Sequence, residues 1–482
     1  MGVGWYILIG IAAALLLTLV SVLVRAARLK RERTSPIYPR AADPEVCRHA
    51  ADSLGELLRF QTVSPGAGGD YTEWVRLRDY LKWRYPRAHS TMEREVVGLH
   101  SLLYRWPAPR PTGPPLLFCG HLDVVPAEEG WQVGPFEGII SDGYVWGRGA
   151  LDGKQVVACL LECAESLINS GFVPKRDIYF AFGHDNEVGG EDGSGEIARV
   201  FARRHLHFEM ILDEGGVLKR GVLSLRRPVA EICVAEKGAA YVRVTAQSNG
   251  GHASEPERRT ALGAVCEAIS RTEFKKYPSR VTPHVHAFLK LLAPNLSFGW
   301  RLYIANRWLL ARHLAAFEPS WARTTITPTA LHAGKAANAL PTKAEATLDI
   351  RLLHGETCDD VLRYLRDLFI GLDVSLMAVS SHEASKISDY QCDAFASIAE
   401  IVRTVFGPVP VIPSLLAQTT SALHYEMFSD NVYRFSPFIL SQAEMAGVHG
   451  RDERVSVDSL GLAMAFYGRL ITHMAGGKQQ LS

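Results

Sequence analysis

The chain begins with a long apolar segment that is followed at once by basic residues. Residues 7–24 are almost all aliphatic, with Thr18 and Ser21 as polar exceptions. About 20 apolar residues are enough to span the hydrocarbon core of a bilayer. A cleaved signal peptide carries its positive charge before the apolar run, whereas here the charge follows it. We therefore favour an uncleaved membrane anchor over a signal peptide, and assign residues 1–34 to a transmembrane helix and its basic flank.

Two sequence features disagree about the side of the membrane on which the rest of the chain lies. The positive-inside rule keeps a basic flank, and the body behind it, in the cytoplasm. The flank consists of Arg25, Arg28, Lys30, Arg31 and Arg33, against Glu32. A sequon at Asn295 favours the lumen of the secretory pathway instead. The sequence leaves both orientations open.

Short, continuous apolar runs in the first half of the body each end in polar residues. These runs and their ends are 115–120 with His121, 177–182 with 183–187, and 210–212 with Asp213. Such runs are typical of strands buried on both faces of a mostly parallel sheet. Functional sites in these sheets form beyond the carboxyl ends of the strands. We therefore predict an α/β fold in which a large, mostly parallel sheet with helices on both faces brings these polar ends to one edge.

The hydrophobic pattern changes near Ala235. Residues 242–246 alternate as a strand with one solvated face does. The remaining predicted strands are 324–332 and 345–352, and the predicted helices are 46–60, 154–170, 260–271, 358–369, 392–406 and 456–473. This order predicts a larger domain in two parts, residues 45–235 and 386–478. Between them we predict a smaller sheet-and-helix domain, of the α+β class, at 236–385.

Composition excludes several classes of protein. The 482 residues are 47% hydrophobic and 21% charged, which is typical of a globular chain rather than a disordered one. The net charge of +1 argues against nucleic-acid binding, which needs a basic excess. Eight cysteines are too few for a disulfide scaffold. Cys159 and Cys163 are four residues apart in an apolar stretch, and we interpret them as one buried helix face.

A set of imidazoles and carboxylates forms the candidate chemistry. Its members are His121, Asp123, Asp152, Glu187, Asp213 and His449. Donors of this kind without a thiolate suit a catalytic zinc or a similar ion. In the His121-Leu122-Asp123 segment, alternation puts both polar side chains on one side, so Asp123 could orient the imidazole. Five remaining ligands are too many for one open site, but they suit two metals that share a carboxylate.

Several motifs together resemble one family of zinc metallopeptidases. They cover residues 120–126, 146–152, 183–190, 212–216, 250–254, 338–341 and 448–450. The chain resembles the family of aminoacylase and carboxypeptidase S, and most resembles the branch of carboxypeptidase S and the N-fatty-acyl-amino-acid synthase/hydrolase. The resemblance spans most of residues 45–475. It implies a hydrolase that uses two zinc ions to cleave, or form, the amide bond of N-acyl amino acids or small peptides.

The resemblance also implies roles for individual residues. Asp152 would bridge the two zinc ions, with His121 and Asp213 completing one site and Glu187 and His449 the other. Asp123 would orient His121, and His252 would reach the oxyanion, in some relatives from a second subunit. Asn338 and Arg351 would bind substrate, since a guanidinium suits a carboxylate. The resemblance further implies that the larger domain is catalytic, and that the inserted domain at 236–385 is a ferredoxin-like lid or dimerisation domain through which a homodimer would form.

The chain departs from the family pattern at two places. Asn186 stands where the family has a glutamate that acts as general base, and a carboxamide cannot carry a proton near neutral pH. Residues 418–424 lack the Asp and Arg of the family's Thr-Asp-x-Arg segment. The neighbouring Asp185 could replace the base, although adjacent side chains point in different directions.

These departures leave three hypotheses for function. The first is an active amidohydrolase, because metal ions alone can still acidify a water molecule and polarise a carbonyl. The second is a zinc-bound pseudoenzyme, or an impaired relative, that binds ligands resembling acyl amino acids. The third is a membrane-tethered interaction protein that binds no ligand. Family resemblance favours the first.

The segment at 284–316 mixes apolar and aromatic residues with Arg and Lys. One interpretation is an ordinary buried helix pair. The other is an interfacial amphipathic stretch, which would contact the bilayer or form an apolar wall for an acyl chain. In the second case, Trp300 and Trp308 would be the residues that matter most.

Overall fold

The computed structural model describes residues 3–29, 42–64, 69–225, 227–317 and 320–476. Lys30, Arg31, Arg33 and most of the linker before Pro44 lie outside the described residues. The helices are α1 (Val3–Arg28), α2 (Pro44–Leu58), α3 (Thr72–Arg84), α4 (Pro86–Thr91), α5 (Lys154–Asn169), α6 (Ser194–Arg203), α7 (Ala261–Phe274), α8 (Pro283–Leu292), α9 (Phe298–Ala305), α10 (Arg307–Phe317), α11 (Cys358–Leu368), α12 (Asp393–Phe406), α13 (Ala422–Tyr425), α14 (Gln442–Met445) and α15 (Val457–Gly476).

The strands alternate with these helices along most of the chain. They are β1 (Glu93–Val97), β2 (Ser101–Trp106), β3 (Leu116–His121), β4 (Ile139–Ser141), β5 (Tyr144–Trp146), β6 (Ile178–Gly183), β7 (Met210–Lys219), β8 (Val229–Glu236), β9 (Gly238–Gln247), β10 (Gly251–His252), β11 (Thr325–Ala333), β12 (Ala339–Leu340), β13 (Lys343–Leu352), β14 (Ser375–His382), β15 (Val411–Leu416), β16 (Val432–Leu440) and β17 (Arg454–Ser456).

The chain divides into two compact units. The smaller unit comprises α1, residues 236–386 and residues 417–419. The larger unit comprises the other described residues, on both sides of that segment in the sequence.

The larger unit is built on a sheet that has eight strands within the described residues, in the order β1-β2-β6-β3-β7-β16-β8-β15. The central pairs β6–β3, β3–β7 and β7–β16 are parallel. The pairs β1–β2, β2–β6, β16–β8 and β7–β8 are antiparallel. The prediction of a mostly parallel sheet is therefore wrong for the flanks: the sheet is mixed. The β1–β2 hairpin adds antiparallel strands at one edge, and its short connection allows no crossover.

Side chains on both faces of the central strands are buried under helices. Leu117 and Cys119 belong to the core cluster that contains Phe201 of α6. Gly120 faces the opposite side of the strand from Leu117 and Cys119. A Cβ added at Gly120 would meet Val156 and Val157 of α5. Helices on both faces are thus confirmed, and this explains why β3 and β6 are buried at every position.

The smaller unit contains a four-stranded antiparallel sheet, in the order β11-β13-β9-β14 within the described residues. Along the chain these strands and two helices occur as β9-α7-β11-β13-α11-β14, the element order of the ferredoxin-like arrangement. Strand β9 alternates as expected, because Val242 and Val244 are buried against α7 and α11 while Arg243 and Thr245 are not.

Helices α8 to α10 are inserted between α7 and β11 of the smaller unit. They bury one set of apolar side chains, including Phe288, Leu292 and Ile304, and expose another, including Phe298 and Trp308. The segment therefore has the buried face of the first interpretation and the exposed apolar residues of the second. Helix α1 is long and apolar enough to cross a membrane over Gly4–Arg28, and none of its most apolar window is buried.

Candidate metal centre

His121 is the last residue of β3, and Asp123 fixes the orientation of its ring. The imidazole Nδ1 lies 2.9 Å from the Asp123 carbonyl oxygen and 3.3 Å from Oδ1 of the same residue. The Asp123 carboxylate is itself held, because it accepts hydrogen bonds from Ser64 Oγ and from the backbone N–H groups of Asn186 and Glu187. Both side chains are fully buried. With Nδ1 occupied, Nε2 is the atom that faces the carboxylates of the site.

Two groups of side chains in the described residues have the geometry to hold a metal ion. In the first, His121 Nε2 lies 3.1 Å from Asp152 Oδ1 and 3.1 Å from Glu214 Oε1. In the second, His449 Nε2 lies 3.1 Å from Asp152 Oδ2 and 3.3 Å from Glu187 Oε2. Asp152 thus turns one oxygen toward each group. One carboxylate shared by two groups is the arrangement that a pair of neighbouring cations needs.

Asp213 is in neither of these groups. Its neighbour Glu214 lies beside His121 and Asp152, at the position that we predicted for Asp213. The Asp213 carboxylate accepts hydrogen bonds from Glu214 N (2.9 Å) and Ala422 N (2.7 Å). Consecutive residues of a strand point to opposite sides, so only one of the pair can face His121. In the structure Glu214, rather than Asp213, faces His121, while Asp213 accepts hydrogen bonds from the backbone behind the site. The role of Asp213 as a ligand stays a prediction.

The charge on the cluster favours a cation. Although burial opposes the charged imidazole, the Glu214 carboxylate and hydrogen bonds to Asp123 and Asp152 hold the pKa of His121 well above its usual range. Hydrogen bonds to Asp152 and Glu187 raise the pKa of His449 to about 10. Glu187 Oε1 is buried and has no hydrogen-bond partner among the described residues. An excess of carboxylate charge and an unsatisfied buried oxygen both fit a bound divalent cation, and the nitrogen and oxygen donors suit zinc.

Gly153 leaves the space in which the side chains of His121 and Glu214 lie next to the backbone of the first ligand group. A Cβ added at Gly153 would lie 2.5 Å from both His121 Nε2 and Glu214 Oε2. Carbon atoms do not approach polar atoms that closely, so either the ring or the carboxylate would have to move. The backbone beside Asp152 is therefore part of the site.

Replacing Gly153 with alanine should weaken metal binding by about tenfold to a hundredfold, as changes that displace metal ligands commonly do. Competition with a chromogenic chelator measures this affinity. Gly468→Ala is the matched control, because a Cβ at that helical position meets nothing within 4 Å. An unchanged affinity in Gly153→Ala would contradict the placement of His121 and Glu214.

The smaller unit holds the remaining predicted site residues in two places. His252 on β10 pairs with Ala339 on β12, and Ala253 N donates to the Asn338 carbonyl at 3.0 Å, so His252 and Asn338 are neighbours. Arg351 lies near the far end of β13, where its Nε and Nη2 donate to Asp349 at 2.9 and 3.0 Å. The structure thus brings the first two together and leaves Arg351 apart from them.

Comparison with known proteins agrees with this geometry. The model of peptidase family M20/M25/M40 matches residues 117–473. The chain belongs to this family. It is 31% identical to probable carboxypeptidase S-like 2 of Dictyostelium discoideum over 437 residues, which covers 87% of this chain and 84% of that protein. It is 32% identical to the N-fatty-acyl-amino acid synthase/hydrolase PM20D1 of Mus musculus over 423 residues, covering 85% of this chain and 84% of the relative.

Solved structures of metallo-carboxypeptidase and dipeptidase proteins share the fold. The M20 family metallo-carboxypeptidase Sso-CP2 of Sulfolobus solfataricus superposes with a TM-score of 0.65 at 17% identity, covering 88% of this chain and 98% of that one. Human carnosine dipeptidase 1 also gives 0.65, at 16% identity, covering 90% and 100%. The predicted resemblance to this family is confirmed, and the protein is an M20 hydrolase that acts on amide or peptide bonds.

One hydrogen bond joins Asn186 and the segment 418–424, the two places where the chain departs from the family pattern. Ser421 Oγ, from the segment that lacks the family's Asp and Arg, donates to Asn186 Oδ1 at 2.9 Å, and Ser194 Oγ donates to Ser421 Oγ at 3.0 Å. Asp185, the alternative base, accepts from Asp192 N at 2.9 Å and is in neither ligand group. At position 186, where we expect the general base, the chain thus has a neutral amide that accepts a hydrogen bond from a hydroxyl.

The structure also shows two buried site residues that the sequence analysis missed. The carboxylate of Glu453 accepts hydrogen bonds from Leu151 N (2.7 Å) and Asp152 N (3.2 Å), and it pairs with Arg148 Nη1 at 2.6 Å. Arg148 Nη2 in turn donates to Gly450 O at 2.9 Å, beside His449. This pair ties the backbone of Asp152 to that of His449. The sequence did contain a signal for Glu453, because this acid lies four residues after the candidate ligand His449.

Proposed function

We propose that this protein is a membrane-anchored hydrolase that uses two zinc ions to cleave, or form, the amide bond of N-acyl amino acids or small peptides. The observation that carries the proposal is the position of Asp152, with one carboxylate oxygen toward each ligand group. The names of the relatives support the substrate class, since they include carboxypeptidase S-like proteins and an N-fatty-acyl-amino acid synthase/hydrolase. The apolar length of α1 supports the anchor.

In this proposal the chain holds the two ions with five side chains. One group would be His121, Asp152 and Glu214, and the other Asp152, Glu187 and His449. When bound, zinc ions supply acidification of a water molecule and polarisation of the substrate carbonyl. Asp123 keeps His121 Nδ1 occupied, and Glu453 holds the Asp152 backbone, so both fix ligand geometry before substrate arrives.

His252 is suited to stabilise the developing oxyanion. Its Nδ1 accepts a hydrogen bond from Ser254 N at 3.2 Å. A neutral imidazole that accepts at Nδ1 carries its proton on Nε2, and that N–H is a donor for a negatively charged oxygen. The exposed amide of Asn338 adjoins it on the same two-stranded ribbon. Together they would bind the carbonyl that is attacked.

Arg351 is suited to bind the substrate carboxylate at a different place. Asp349 holds the guanidinium through Nε and Nη2, while Nη1 makes a long 3.4 Å contact with Thr419 Oγ1. Eight residues of strand β13, 343–350, lie between the ribbon and this arginine, which corresponds to about 26 Å. One small substrate cannot reach both, so His252 and Arg351 of one chain would serve different substrate molecules.

This separation supports a homodimer in which His252 and Asn338 act on the substrate of the partner. Light scattering of the full chain in detergent tests it. A strictly monomeric protein with full activity would contradict it.

A second candidate function follows from Asn186. A neutral amide at the position of the general base suits a metal-bound relative that binds acyl amino acids with little or no turnover. The choice between the two functions depends on the rate of the wild-type protein.

Hydrolysis by the full chain, loaded with zinc, tests the proposed function. We expect release of free amino acid from a panel of N-acyl amino acids. His121→Ala should abolish it, because this change removes one ligand from the first group. Equal rates for the wild type and His121→Ala would contradict hydrolysis by this site. Binding of the same compounds without release would favour the second candidate.

A further inference from the structure

Helix α9 of the smaller unit packs against the C-terminal end of α1. Arg301 Nη1 donates to the Leu29 carbonyl at 2.7 Å, and Asn306 Nδ2 donates to the Val22 carbonyl at 3.1 Å. On α1, Ala26 is buried and Val22 and Leu29 are half-buried, whereas their neighbours are exposed. The spacing of these three residues is that of one helix face. The contact thus covers the last two turns of α1.

The length of α1 sets the depth of this contact in a bilayer. A helix rises about 1.5 Å per residue, so the hydrocarbon core of about 30 Å takes about 20 residues. Counted from Val3, this length ends near Val22, and the first charged residue of the helix is Arg25. Helix α9 therefore meets α1 at the level where hydrocarbon gives way to headgroups.

The outer surface of α8 to α10 has the composition of a membrane interface. Leu291, Phe298 and Trp308 are each about half exposed, at 50, 46 and 57%. Residues 283–312 contain no Asp or Glu, and their Lys and Arg residues are Lys290, Arg301, Arg307 and Arg312. Aromatic side chains are enriched at the headgroup level of membranes, and basic side chains are attracted to anionic lipids. Apolar, aromatic and cationic groups thus occur together beside the end of the anchor.

We propose that α8, α9 and α10, here called the interfacial helices, lie in the headgroup layer of the bilayer that α1 spans. Phe298, Trp308 and Leu291 insert among the acyl chains, and the exposed basic side chains Lys290, Arg307 and Arg312 contact lipid phosphates. The inference rests on the membrane anchoring in the proposed function. It adds that the smaller unit docks on the bilayer by a second surface instead of hanging from α1 alone. Amphiphilic acyl amino acids concentrate in the same layer.

Photolabelling of the full chain tests this docking. The protein is reconstituted in nanodiscs of phosphatidylcholine and phosphatidylserine that contain a phospholipid with a diazirine in its acyl chain, and labelled peptides are identified by mass spectrometry. We expect label in α1 and in residues 298–312. We expect none around Phe274, which belongs to the same unit and is 88% exposed. In the double variant Phe298→Ser, Trp308→Ser, the amount of label in residues 298–312 should fall about tenfold, while the amount in α1 should not change. Phe274→Ser is the matched control and should change neither.

The outcomes separate this inference from the proposals on which it rests. Label confined to α1 overturns the docking and leaves the anchor standing. Absence of label from α1 overturns both. Residues 298–312 that cross-link to a second copy of the chain, and not to lipid, would make this surface a protein interface. None of these readouts depends on hydrolytic activity. Failure of the catalytic proposal would appear instead in the hydrolysis assay of the wild type and His121→Ala.

Discussion

Replacing Asn186 with glutamate is expected to raise kcat by about 10²–10⁴-fold, the usual contribution of a general base. The new carboxylate would lie beside Ser421, whose hydroxyl now donates to Asn186 Oδ1 and could donate equally to a carboxylate. The backbone should not change, because Asn186 N donates to Asp123 Oδ1 whatever the side chain. Initial rates at saturating N-acyl amino acid, with metal-loaded protein, measure the effect.

Asn186→Gln is the control for this substitution, since it has the length of glutamate without the charge. It should leave kcat near the wild-type value. A wild type that already turns over rapidly and gains nothing from Asn186→Glu would show that another group serves as base. It would also contradict the view that Asn186 limits the rate.

The second large effect is expected at Glu214. Removing its carboxylate by Glu214→Ala leaves only His121 and Asp152 in the first group. One metal ion should then be lost, and kcat/KM should fall by about a hundredfold or more, because a metal ion that polarises the reacting group contributes several kcal/mol. Metal analysis of dialysed protein and steady-state kinetics measure the two quantities.

Asp213→Asn is the matched comparison for Glu214→Ala. Asp213 accepts from Glu214 N and Ala422 N, so its amide analogue should disturb packing and lower Tm while keeping the metal. The reverse result, with metal lost from Asp213→Asn and kept in Glu214→Ala, would restore Asp213 as the ligand.

The pair Asp213 and Glu214 shows what the sequence can and cannot predict about the site. The end of an apolar strand correctly predicts that an acid faces the site there, as it does for His121. Which of two adjacent acids does so depends on the phase of the strand and on Ala422, more than two hundred residues away. Glu453 was missed for a similar reason, because its partners Leu151 and Asp152 lie about three hundred residues away in the sequence.

The fold was more predictable than the site. Periodicity located α5, α7, α11, α12 and α15, since each packs against a sheet or another helix. Continuous apolar runs predicted that β3 and β6 are strands buried on both faces of a mostly parallel sheet, and these two strands do pair in parallel. The antiparallel flanks were not predicted, because apolar runs carry no information on strand direction.

The central claim is that Asp152 joins two cation sites, and the metal content of the purified full chain tests it most directly. After dialysis against zinc-containing and then metal-free buffer, elemental analysis should find two zinc ions per wild-type chain. His121→Ala and His449→Ala should each retain one, and Asp152→Ala should retain none. A wild type that holds no more metal than Asp152→Ala would contradict the account.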